Sequence, residues 1–219
     1  AYTSKFKKKY IYVLDAFGDG INHSEWIFEK GELSDVILEE NYPNYPHMWE
    51  LISRVIFKED RKDVGRNLNG YFPSKGPGKI MALAAKSKPN NKLTFKLKKL
   101  LLDKEIYKIE INNHKYLKQK IFNQIGFKEK KFNWKSKELI NIASSLQHLT
   151  NEFILKKIEN NKFKNISFVG GLALNCVATS YASNQINKRV YVPPFPGDSG
   201  ISVGAAFLGK INDDKKNII

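Results

Sequence analysis

Two short stretches carry residue types whose spacing suits chemistry. Gly170-Gly171 interrupts the apolar run of Ile166, Phe168 and Val169 and precedes an Ala- and Leu-rich segment. A glycine pair between a strand and a helix exposes backbone N–H groups at a helix N-terminus, where phosphates and other anions bind well. One helix and one strand later, Gly197-Asp198-Ser199-Gly200 opens another helix. Asp198 reads there either as an N-cap, the common role of Asp at a helix start, or as a metal ligand held between two glycines. Either motif alone is weak, but both in order, one βαβ unit apart, are far more specific. Lys79 follows Gly76-Pro77-Gly78 at the entry to a helix. It reads as a point charge for a phosphate oxygen or as a solvated lysine, with nothing to choose between them. Asp15 closes the run KYIYVLD and by itself reads as a turn carboxylate. The histidines, His23, His47, His114 and His148, show no HxxxH spacing, and the single Cys176 reads as a small buried residue rather than a nucleophile.

The elements that must position these groups follow from periodicity. Lys9–Asp15 is aromatic and β-branched, as a strand should be. Gly18-Asp19-Gly20 turns it into a second strand over 22–29, Lys30-Gly31 turns again, and Asp35–Leu38 gives a third, so the start is a β-meander. Asn41–His47 is a proline-broken loop, and 48–57 is amphipathic and helical. Lys86–Lys135 is a Lys-rich variable stretch with short helices, read as a solvated face. Ser136 caps the clearest helix, 136–158, with Leu139, Ile142, Ala143, Leu146, Leu149, Phe153 and Ile154 along one face. A buried strand, the glycine break, a helix over 172–184, a strand at 190–192 and a helix over 201–207 complete the unit. In that last helix Gly200, Gly204, Ala205 and Ala206 are small enough for tight packing. The tail, 210–219, reads as frayed.

Composition bounds the function classes. The 219 residues suffice for one sizeable domain or two small lobes. The longest apolar runs are too short to span a bilayer, and the first ten residues have no apolar signal core. One cysteine excludes an internal disulfide framework and suits a cytoplasmic protein. The net charge of +15 comes almost wholly from lysines spread along the chain. Scarce Arg and dispersed Lys argue against base-reading nucleic-acid recognition.

The sequences GGLALNCVA and VPPFPGDSGISVGAA closely resemble the O-carbamoyltransferases of the NodU and cephalosporin carbamoyltransferase type. VLDAFGDG (15–20 at its core) and GPGKIMALA (76–84) are similar to two further motifs of that family, with Ala16, Asp19, Pro77 and Ala82 as departures. The resemblance implies an α/β fold, a partial actin-like ATPase (ribonuclease H-like) or Kae1-like fold. It would combine an antiparallel β-meander with βαβ units and helices packed on a mixed sheet. Residues 1–209 would form the domain, with 86–135 as its insertion. It further implies ATP or carbamoyl adenylate at Gly170, Gly171 and Asn175, with Lys79 near a phosphate or carbamoyl oxygen. Asp15 and Asp198 would hold a divalent metal, iron in the family. The reaction would form carbamoyl adenylate from carbamoyl phosphate and ATP, then carbamoylate a hydroxyl of a sugar or natural-product acceptor; no catalytic residue is named.

Family members also carry a lobe with a histidine-rich metal motif and a YrdC-like domain, neither of which this sequence resembles. The chain therefore reads as a fragment, inactive alone, whose missing lobe is absent by truncation or supplied by another chain or a homo-oligomer partner. A second reading is a nucleotide-binding module without chemistry, which an exposed apolar edge near Tyr10–Leu14 would favour. A third is a basic nucleic-acid binder, and a fourth a sugar or acetate kinase of the same superfamily.

Overall fold

The computed structural model describes residues 1–18, 20–39, 43–56, 76–108, 114–127 and 136–216. Asp19, Asn112-Asn113 and the end of the Lys-rich stretch, 128–135, lie outside the described residues. The chain divides into two compact units, Ala1–Tyr42 with Ile154–Ile219, and Pro43–Phe153.

The first unit is built on a five-stranded sheet of order β3-β2-β1-β4-β5. β1 (Lys8–Gly18), β2 (Ile21–Glu29) and β3 (Glu32–Glu39) form the meander. The β2–β3 turn is Lys30-Gly31 with φ of 53° and 86°, the left-handed pair that matches strand twist in a two-residue hairpin. β4 (Asn165–Val169) joins β1 in parallel, with Tyr10 opposite Ile166 and Val13 opposite Val169. β5 (Arg189–Tyr191) extends the parallel part. β1 is thus interior, and Tyr10, Ile11, Tyr12 and Leu14 are buried. The apolar edge that would favour the module reading is absent there; exposed apolar side chains lie instead on β3, at Leu33, Val36, Ile37 and Leu38.

Alternation divides β1 between two faces. Tyr10 and Tyr12 face the last turns of α6 (Lys137–Glu159), where Tyr12 stacks on Phe168 with centroids 5.1 Å apart. The same face buries charge. Lys157 Nζ and His23 Nε2 lie 2.9 Å and 2.8 Å from Glu25 Oε1, and Tyr10 donates its hydroxyl to Oε2 of the same carboxylate. Burial alone would raise the Glu25 carboxyl, but donors from His23, Tyr10 and Lys157 outweigh it and hold it at about 2. Tyr12 donates to the Lys157 carbonyl, and Lys188 donates to the carbonyls of Ile158, Glu159 and Asn161, so the end of α6 is capped by a cation.

The other end of α6 begins as the sequence implies: Ser136 Oγ accepts from the Leu139 N–H. Several elements differ from expectation. The 172–184 helix is broken into a 3₁₀ turn (Gly171–Leu174) and α7 (Cys176–Gln185), with Asn175 capping α7. Cys176 at the start of α7 is exposed, not buried. α8 (Gly200–Lys216) continues through most of the tail read as frayed. Of its small residues only Gly200 is required by packing, because a Cβ there would overlap the Phe195 carbonyl; Gly204 has open space and Ala205 and Ala206 are exposed.

The second unit is helical. α1 (Tyr45–Val55) starts within the loop expected over 41–47, since Asn44 accepts from the His47 N–H and Pro46 suits the first turn. α2 (Gly76–Ala84) is helical throughout, so Lys79 sits inside a helix, exposed, rather than after a glycine turn. The Lys-rich stretch is more than a solvated face. α3 (Asn91–Leu101), α4 (Lys104–Lys108) and α5 (His114–Ile125) bury Leu93, Leu97, Leu100, Leu101, Ile106, Ile121, Phe122 and Ile125. Trp49 Nε1–H donates to Thr150 Oγ1 at 3.0 Å in the same unit. Among the described residues no helix is long and apolar enough to cross a membrane.

Glu25→Ala is expected to lower stability by roughly 3–5 kcal/mol, because Lys157 and His23 lose a buried acceptor. In the wild type the Glu25 contribution is complete above the ordinary carboxyl value of 4.5 and is lost as pH falls toward about 2. Urea titrations at pH 7, 5 and 3 check this; a Glu25→Gln chain with the same acid-side slope as wild type would contradict it.

Candidate functional site

The carboxyl ends of β1 and β4 lie side by side, and the chain leaves them in opposite directions, toward β2 and toward α7. That is where open α/β sheets leave a crevice for ligands. Gly170 makes the junction possible. Its φ is 89°, and a Cβ there would overlap the Leu14 carbonyl. Its N–H donates to the Pro196 carbonyl at 2.6 Å, which draws the proline loop 193–197 against the strand ends. The Gly171 N–H donates to Asp15 Oδ2 at 3.2 Å, and the Ala16 N–H donates to Asp15 Oδ1 at 2.7 Å. A Cβ at Gly171 would stand 3.1 Å from Asp15 Oδ1. The glycine pair therefore serves close approach, and its N–H groups are engaged within the protein instead of being offered to an anion, as the sequence pattern suggested.

These residues open into a cleft of about 520 Å³, within the range of small-molecule sites. Its floor is Val13, Asp15, Val169 and Gly170; the proline loop with Asp198 forms one wall, and α8 from Gly200 to Phe207 forms another. Ala1, Tyr2 and Thr3 form a further wall. No sequence signal marked them, since the first residues show neither periodicity nor turn chemistry. Phe195 and Phe207 also went unremarked, although the loop and helix that carry them were recognised.

Asp15 and Asp198 are brought together at this cleft. Burial raises the Asp15 carboxyl above its ordinary value, the Ala16 and Gly171 amides pull it back, and the charge of Asp198 raises it further. Asp198 itself is exposed. Two carboxylates lining one cleft are the kind of donors a hard divalent cation takes, completed by water or phosphate oxygens. They do not make an iron site on their own: among the described residues no group of three or more His, Cys, Asp or Glu is placed to hold a metal ion. His23 is committed to Glu25 on the other face of the sheet. Asn175 is not among the cleft-lining residues; its Oδ1 accepts from the Ala178 N–H at 3.0 Å as the cap of α7. Lys79 belongs to the second unit.

Comparison with known proteins accords with this geometry. The profile of the family described as carbamoyltransferase N-terminus matches residues 1–207. The chain is 25% identical over 231 residues to the uncharacterized protein MJ1058 of Methanocaldococcus jannaschii, covering 94% of this chain and 34% of that protein. It is 26% identical over 218 residues to the uncharacterized protein MJ1051 of the same organism, covering 94% of this chain and 38% of that protein. The chain thus spans just over a third of the length of these curated relatives.

Because Asp15 has a raised folded-state value, its charge opposes folding as pH rises above the ordinary carboxyl value of 3.8. Between pH 3.8 and 7 the Tm of wild type is expected to fall relative to that of Asp15→Asn, which has no charge there to oppose folding but offers one acceptor oxygen to the two amides of Ala16 and Gly171. Thermal melts across pH 3–8 check it; a Tm difference between the two chains that does not change with pH would contradict it.

Proposed function

The chain belongs to the carbamoyltransferase N-terminus family, and from that membership we propose that it supplies the nucleotide- and cation-binding part of an O-carbamoyltransferase. The observation that carries the reading is the convergence of Asp15, Gly170 and Asp198 on one cleft at the parallel strand ends. The antiparallel meander continued by parallel strands on a mixed sheet supports the actin-like (Kae1-like) assignment. Gly170 and Gly171, through the junction they make, would set the cleft floor on which a nucleotide or carbamoyl adenylate lies. Asp15, oriented by the Ala16 and Gly171 amides, and Asp198, carried on the proline loop, hold the cation. When bound, a divalent cation supplies neutralisation of charge on carbamoyl and phosphate oxygens. Asn175, as the cap of the turn after the glycine pair, is the further nucleotide residue implied by the sequence; Lys79, in the other unit, is not assigned to this cleft.

The complete reaction is assigned to the whole protein. Carbamoyl phosphate would be hydrolysed to carbamate and phosphate, carbamate would attack ATP to give carbamoyl adenylate with release of pyrophosphate, and an acceptor hydroxyl, giving up its proton, would then displace AMP from the carbamoyl carbon. The length of the curated relatives favours this division, because about two thirds of each lies outside the part this chain matches. A nucleotide module that needs no cation is the alternative; the glycine junction, complete within this chain, favours it in so far as the cation has two protein ligands here.

Calorimetric titration of ATP with and without Mn²⁺ separates the two. The expected result is binding that Mn²⁺ strengthens and that Asp198→Ala weakens by about tenfold or more with Mn²⁺ present, a loss of roughly 1.4 kcal/mol, and not in EDTA. ATP binding indifferent to both Mn²⁺ and Asp198 would leave the module reading, and no ATP binding under any condition would reject both.

A further inference from the structure

Lys9 is a lysine with no exposed surface, on the face of β1 that looks toward the cleft. Burying an ammonium group is costly unless its donors are met. Among the described residues its hydrogen-bond acceptors lie in one short segment with no regular structure: the Ala1 carbonyl, Ser4 Oγ at 2.6 Å and the Phe6 carbonyl at 3.1 Å. The Phe28 ring lies 4.1 Å from the same nitrogen. An apolar side chain would pack this position more cheaply, so the ammonium is suited to holding Ala1–Phe6 in one place. Burial lowers the Lys9 amine to about 8, the opposing cost that those acceptors and the Phe28 ring offset.

Further contacts anchor the segment, among them Arg189 over the Phe6 ring at 5.1 Å. The Tyr2 ring meets Phe28 edge-on at 5.2 Å and stacks on Phe207 of α8 at 5.8 Å. The Tyr191 hydroxyl donates to the Thr3 carbonyl at 3.0 Å. Ala1, Tyr2 and Thr3 line the cleft that holds Asp15 and Asp198. We infer that Ala1–Phe6 is a strap forming one wall of the cleft and controlling access to it, and that Lys9 is the positioning residue that seats the strap. Lys9 touches no ligand in this arrangement; it acts through the strap, and Tyr2 is the side chain the strap presents. The inference concerns access to the cleft and is independent of which ligand the cleft takes.

The test needs no ligand. A thiol is placed in the cleft on α8 by Val203→Cys, in a Cys176→Ser background, and its rate of reaction with a maleimide is measured. Adding Lys9→Met, which keeps the bulk of the side chain and removes the ammonium, is expected to raise that rate by about tenfold or more, as loss of several charge-assisted hydrogen bonds should. Tyr2→Ala, which alters no strand residue, is expected to raise it as well. Exposed Cys176, measured in chains that retain Val203, should react equally fast with and without Lys9→Met, which excludes general loosening. Hydrogen exchange should rise in 1–6 and not in β1. An unchanged Val203→Cys rate in both Lys9→Met and Tyr2→Ala would overturn the inference, as would a Lys9→Met rate that rises together with that of Cys176. The ATP titration can fail while this result holds, and the reverse, so the two readings stand or fall separately.

Discussion

A missing side chain sets the geometry of this protein. Gly170 approaches the Leu14 carbonyl so closely that any Cβ would collide with it, and its backbone adopts a conformation that L side chains rarely accept. That one contact brings the carboxyl ends of β1 and β4 together and lets the Gly170 N–H reach the Pro196 carbonyl. Asp15 arrives on β1, Asp198 follows the proline loop, and both line one cleft. Asp15 is then held by amides on either side of the junction, from Ala16 and from Gly171.

The sheet divides its labour by face. On the α6 side, Glu25, His23, Lys157 and Tyr10 form a buried charged cluster whose members satisfy one another, and Lys188 caps the end of α6. These groups hold the frame. On the cleft side the charges are arranged less comfortably: Asp15 is partly buried, and the charge of Asp198 raises its carboxyl further. Unfavourable electrostatics at a cleft, next to a well-satisfied cluster behind it, is the pattern expected where a site keeps strain that binding relieves.

Much of the frame was legible in the sequence because periodicity reports burial. β1, β4, the hairpins and α6 with its Ser136 cap follow from alternation, turn residues and helical spacing. Gly170 and Asp198 were singled out by motif, and the fold brings both to one cleft. The use of the glycine amides was not, since sequence shows that a glycine is needed and not whether the need is a ligand or the Leu14 carbonyl. The Ala-rich run after Gly171 concealed a break at Asn175, where a capping side chain outweighs helix propensity. Lysines masked the apolar contacts of α3 and α5, because a short amphipathic helix keeps about half of its positions polar on the face turned away from the core. The strap could not be read at all: its order comes from Lys9, Tyr191 and Phe207, distant in sequence or polar where apolar was expected.

The central claim is that Asp15 and Asp198 form one cation site at the glycine junction. The most direct measurement is anomalous diffraction at the manganese edge from crystals of this chain soaked in Mn²⁺ and ATP. The account predicts an anomalous peak within coordination distance of oxygens from both carboxylates, facing the cleft beside Gly170. A peak bound elsewhere, or well-ordered Asp15 and Asp198 with no peak between them, would contradict it.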